Sequence, residues 1–110
     1  MAFDEALAER IRAVFAGRET VHEQKMFGGI AFMDRGNMVV GITRDELMAR
    51  VGGDSVDRWL GEPGAHLMHM GDRVMSGMIG VSPEGVATDQ QLRTWIDRCF
   101  AFTDTLPAKA

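Results

Sequence analysis

Lys25-Met26-Phe27-Gly28-Gly29-Ile30-Ala31-Phe32-Met33 decides how the chain is read, because a two-glycine break separates two apolar runs. The pattern is that of a strand, a backbone kink and another strand. Gly28 and Gly29 can adopt positive φ or let a second backbone come close, which a residue with a Cβ resists. The polar turn Asp34-Arg35-Gly36-Asn37 follows, and then Met38-Val39-Val40-Gly41-Ile42, so the segment opens an antiparallel hairpin. Phe27 is read as a core side chain.

Outward from this hairpin, the N-terminal flank is helical. Phe3, Leu7, Ile11, Val14 and Phe15 recur at helical spacing among charged residues, which predicts an amphipathic helix over Asp4 to Ala16, ended by Gly17. Thr20 to Phe27 runs extended into the glycine pair. Beyond the hairpin, Thr43-Arg44-Asp45 turns the chain into a strand at Leu47 to Val51, completing a meander. There Leu47, Ala49 and Val51 share one face, and Met48 and Arg50 the other.

Gly52-Gly53 breaks the pattern, and Asp54 is placed to cap a short helix carrying Val56, Trp59 and Leu60. Pro63-Gly64 stops it. His66 to Met70 and Val74 to Val81 read as two further strands, turned by Gly71-Asp72-Arg73. Thr88 caps the last helix, whose apolar stripe is Leu92, Trp95, Ile96, Cys99, Phe102 and Leu106. Three helices and five or six strands joined by short turns imply an α+β fold of two layers. The N- and C-terminal helices pack on one face of an antiparallel β-sheet.

With 110 residues, 45% hydrophobic and 25% charged, the chain has the size and balance of one domain spanning residues 1–110. The net charge of -4, without a block of like charge, argues against a dedicated nucleic-acid surface. Acids near the N-terminus and the lack of a long apolar run argue against a signal peptide or membrane span. One cysteine, Cys99, fits a reducing, cytoplasmic setting.

The run Lys25-Met26-Phe27-Gly28-Gly29, an apolar strand and then Gly36-Asn37-Met38 resembles the signature of the TfoX/Sxy N-terminal domain family, associated with regulation of bacterial natural competence. Leu47-Met48-Ala49-Arg50-Val51, Pro63-Gly64-Ala65, Met75-Ser76-Gly77 and the closing Leu106-Pro107-Ala108-Lys109 extend the likeness over most of the chain. It implies a two-layer fold of the secretion-chaperone-like type. The family's longer competence regulators carry a second, C-terminal domain, and residues 1–110 are read as a stand-alone domain of the N-terminal kind. Of the matching residues, Lys25, Met26, Phe27, Gly28, Gly29, Gly36, Asn37, Met38 and Arg50 are read as mainly structural. The resemblance implies a regulatory module that contacts another protein, for which an open sheet edge offers a route to a homodimer.

Each candidate for chemistry meets a plainer reading. His22-Glu23-Gln24-Lys25-Met26 lacks the second histidine of the zinc motif HExxH and is β-like. Gly36-Asn37-Met38-Val39-Val40-Gly41-Ile42-Thr43 has a phosphate loop's glycine spacing. It puts Ile42 where that loop needs lysine, and it precedes no helix. His66, Met68, His69 and Met70 could hold a soft metal such as Cu(I), with His66, Met68 and Met70 on one strand face. Against this, Met26, Met33, Met38, Met48, Met75 and Met78 also lie in predicted strands, where methionine is an adaptable core filler. Cys99 falls in an apolar stripe and reads as a small buried hydrophobe. Arg50, on the non-core side, could stack or pair with Asp34 or Asp45, and a structural ion pair is expected over a ligand contact. No catalytic residue, cofactor or metal is therefore assigned.

Overall fold

A computed structural model describes residues 3–26 and 28–108. The expectation that Phe27 is a core residue lies outside them, as do the side chains of Met26 and Met70. The elements run α1 (Glu5–Phe15), β1 (Val21–Met26), β2 (Gly29–Asp34), β3 (Asn37–Thr43), β4 (Glu46–Arg50), α2 (Val56–Trp59), β5 (Ala65–Met70), β6 (Arg73–Val81) and α3 (Asp89–Thr103). Short 3-10 turns at Gly53–Ser55 and Pro83–Val86 precede α2 and α3.

Local chemistry accounts for the helix ends. The Asp4 carboxylate accepts the Leu7 N–H at 3.1 Å and caps α1. Thr88 caps α3 as expected, and Gln91 completes a reciprocal capping box with it. Asp54 does not cap the middle helix. It lies inside the 3-10 turn, and α2 begins after Ser55 without a side-chain cap. The apolar stripe of α3 stays helical only to Thr103, and Leu106 lies in the turn beyond it.

All neighbouring strands pair antiparallel, in the order β1-β2-β3-β4-β6-β5. The meander holds from β1 to β4, but β4 takes β6 rather than β5 as its next neighbour. The composition of the last hairpin explains this: Ile79 and Val81 of β6 are buried opposite Ala49 and Leu47, whereas β5 carries two histidines and suits an edge. The glycine pair also has a sharper role than a kink between two strands. Met26 pairs with Gly29, so β1 folds back on β2 as a hairpin of its own. Gly28 has φ 75°, which favours glycine.

Alternation divides the sheet into two faces. Ile30, Phe32, Val40, Ile42, Leu47, Ala49, Ile79 and Val81 pack against Leu7, Ile11 and Phe15 of α1 and Leu92, Trp95, Ile96 and Cys99 of α3. Both terminal helices therefore lie on one face, as their stripes predict. A bulge between Phe32 and Met33 leaves Val39 as an extra buried residue in β3.

Candidate functional site

The family-motif residues are mostly scaffold. A Cβ on Gly29 would sit 2.1 Å from the Ile42 carbonyl oxygen, so glycine is what lets β2 and β3 approach there. Asn37 is 1% exposed and its side-chain amide donates to the Pro107 carbonyl at 3.0 Å. Arg35, which adopts a positive φ of 52°, donates to the carbonyls of Thr103 and Leu106. The β2–β3 turn thus clamps the chain leaving α3, satisfying carbonyls that the helix end leaves open. Lys25 is exposed on edge strand β1.

Arg50 does not pair with Asp34 or Asp45. Its guanidinium donates to the Met38 carbonyl at 3.3 Å and lies 5.5 Å from the centre of the Phe102 ring. Asp34 is instead taken by Arg18 and Thr20. Sequence spacing could not tell these arginines apart.

Met78 is buried as a core filler would be, but three other methionines stand differently. The burial of β4 alternates so that Leu47 and Ala49 face the helices while Glu46, Met48 and Arg50 face away. Met33 pairs with Met38 across β2 and β3. None of Met33, Met38 and Met48 belongs to the hydrophobic core, and each is only partly buried. The methyl groups of Met38 and Met48 converge over a glycine: a Cβ on Gly41 would meet the Met48 Cε at 2.7 Å and the Met38 Cε at 2.8 Å. Ala31 and Gly41, paired across β2 and β3, add the small residues that keep this face flat. The sheet side opposite the helices is an apolar, methionine-lined surface bordered by Glu46 and Arg50.

His66 is held at the edge of that surface. Its Nε2 lies 3.0 Å from Glu46 Oε1 and its Nδ1 3.0 Å from the Leu67 carbonyl oxygen, and Ser82 also donates to Glu46. Both ring nitrogens face acceptors, so only the imidazolium donates to both. A metal would have to displace one of these contacts. Among the described residues no group of three His, Cys, Asp or Glu side chains is arranged around a common point. Cys99 is fully buried on α3, and burial pushes its thiol well above the usual range despite the backbone hydrogen bond from Arg50 and the nearby Arg98 charge. It stays a neutral thiol, which is not a nucleophile.

The geometry defines a class first: a two-layer α+β domain with a six-stranded antiparallel sheet, helices on one face and, on the other, a methionine-centred surface that no described helix covers. The chain matches the TfoX N-terminal domain over residues 13–103 and belongs to that family, so it is a competence-regulator-like domain. No curated protein and no solved structure is significantly similar to it. Among the described residues no helix is long and apolar enough to cross a membrane.

Proposed function

We propose that this domain is a cytoplasmic, non-enzymatic regulatory module that works through protein contact, and that its first partner is a second copy of itself. The observation that carries this reading is the methionine-lined sheet face, which no described helix covers. Methionine is adaptable and polarisable, and suits a surface that must pack against a partner. The charges on β4 favour a self-complementary contact. Glu46, Met48 and Arg50 follow one another on this face. A two-fold axis at Met48 therefore sets Glu46 of each copy against Arg50 of the other. Net charge supports a protein partner over duplex DNA, because a chain at -4 lacks the phosphate-neutralising stripe that supplies most nonspecific DNA affinity.

Sedimentation equilibrium tests the contact. The reading expects a dimer in the micromolar range, lost in Met48→Glu. Glu46→Arg and Arg50→Glu should each weaken the dimer, and the double exchange should restore it. A monomer at all accessible concentrations, or a dimer indifferent to Met48→Glu, refutes the reading. So does submicromolar binding of duplex DNA at physiological salt by the isolated chain.

A further inference from the structure

Between α2 and the second half of α3 lies a pocket of about 340 Å³ that the sheet-face contact does not use. Its size falls at the small end of the ligand-pocket range. The Gly52–Ser55 segment forms one rim, and Arg58, Trp59, Arg98 and Phe102 form the walls.

The two arginines play different parts. The Arg98 guanidinium sits 3.9 Å from the centre of the Trp59 ring and 4.7 Å from that of Trp95, and its Nη2 is 3.1 Å from Glu62 Oε1. It is only 16% exposed, so it is a neutralised, rigid wall that fixes Trp59. Arg58 lies 5.4 Å from the centre of the same Trp59 ring but is exposed and forms no ion pair among the described residues. Asp54, in the Gly52–Ser55 rim, is also exposed and without an ion-pair partner among the described residues. These two charges stand four positions apart, at a spacing that would let them pair on a helix. The 3-10 turn leading into α2 leaves both open instead.

The local balance decides the ligand class. Arg98 is offset by Glu62, and Arg58 by Asp54, so the pocket carries no net charge and a dianionic phosphate gains little there. Phe102 supplies an apolar surface beside Trp59, packed on the backbone of Gly52, where a Cβ would sit 2.5 Å from the Phe102 ring. We infer that this pocket binds a free α-amino acid with an apolar side chain. Its carboxylate is held by the guanidinium fork of Arg58, its ammonium by Asp54, and its side chain by the Trp59–Phe102 wall. Arginine matches a carboxylate in two parallel hydrogen bonds, and an aromatic wall beside opposed charges matches an apolar zwitterion.

Titrating the full chain with L-phenylalanine, L-leucine, benzoate and inorganic phosphate, followed by calorimetry and by Trp59 fluorescence, tests this. The expected result is saturable binding of at least one amino acid at millimolar or lower concentration, with benzoate weaker and phosphate silent. Arg58→Gln and Asp54→Asn, both at exposed positions, should leave the melting transition unchanged. Each should weaken amino-acid binding by about tenfold, the scale of one charge-assisted contact. Benzoate or phosphate binding as tightly as the amino acids overturns the inference. So does failure of both amino acids to saturate, or equal affinity in either variant.

Discussion

Arg18 and Asp34, 16 positions apart, meet with Nη2 2.7 Å from Oδ2, and the Asp34 side chain is wholly shielded from solvent. The same guanidinium lies 2.6 Å from Asp104 Oδ1 and 3.7 Å from the centre of the Phe100 ring. One arginine thus ties the approach to β1, the end of β2 and the last turn of α3 together. Asp34→Asn should destabilise the fold by about 3 kcal/mol, because it leaves Arg18 and Thr20 facing a group that cannot accept from both in the same way. Urea unfolding measures it. A loss within the few tenths expected of a surface substitution would show that the contact does not hold the fold.

That relationship sets an acid limit. Burial by itself raises the Asp34 carboxyl, but hydrogen bonds from Thr20 and Arg18 outweigh it and hold the group below the usual carboxylate range. A carboxyl that binds its proton less readily in the folded than in the unfolded state stabilises fully above the unfolded value. That contribution is lost as pH falls through the lowered folded value. Stability measured in urea at a series of pH values should therefore fall in acid, and fall less steeply in Asp34→Asn. Parallel curves for the two proteins would contradict this.

Cys99 should resist thiol reagents in the native protein and react at once in denaturant. Its burial is complete, and reaction has to wait for opening of α3 from the sheet. With opening free energies of several kcal/mol, native protein should react at least about a thousandfold more slowly than unfolded protein. Prompt labelling at neutral pH would mean that α3 detaches readily.

The two central glycines of the motif should respond differently to alanine. At Gly29 a methyl group collides with the backbone of β3, at 2.1 Å from the Ile42 oxygen, and no flexible side chain can yield. Gly29→Ala is expected to cost about 2–4 kcal/mol, at the upper end of single substitutions. Gly28→Ala meets a left-handed backbone penalty of about 1–2 kcal/mol. Equal melting temperatures for the two variants would refute the distinction.

Thr103 offers a gain. Among the described residues its buried hydroxyl oxygen has no hydrogen-bond partner, while its carbonyl is engaged by Arg35. Thr103→Val removes an unsatisfied polar group from a site already shaped for a branched side chain, and should raise stability by about 1 kcal/mol. A lowered melting temperature would show that the hydroxyl has a partner in solution.

Much of this architecture was legible along the chain, because helix and strand periods are local properties. Leu7, Ile11 and Phe15 in α1, Leu92, Trp95, Ile96 and Cys99 in α3, and Leu47 and Ala49 in β4 all fall on the buried side that their spacing assigns. The cap at Thr88 was equally plain, since its contact lies within one turn, and the structure adds Gln91 as its reciprocal partner. The cap at Asp54 failed because Gly52-Gly53 leads into a 3-10 turn whose hydrogen bonds leave no place for it.

What the residues determined alone is the alternation that gives every strand two faces and the amphipathic helices at each end. What only the tertiary structure decided is which partners meet across distance and which face stays open. Arg18 rather than Arg50 reaches Asp34, and β6 rather than β5 lies beside β4, because both choices depend on how the sheet closes and on which strand can bear burial on two sides. The methionine face was undecidable for a related reason. Methionine serves a core and an exposed apolar surface equally well, so Met33, Met38 and Met48 acquire their meaning only once α1 and α3 have both settled on the other side of the sheet.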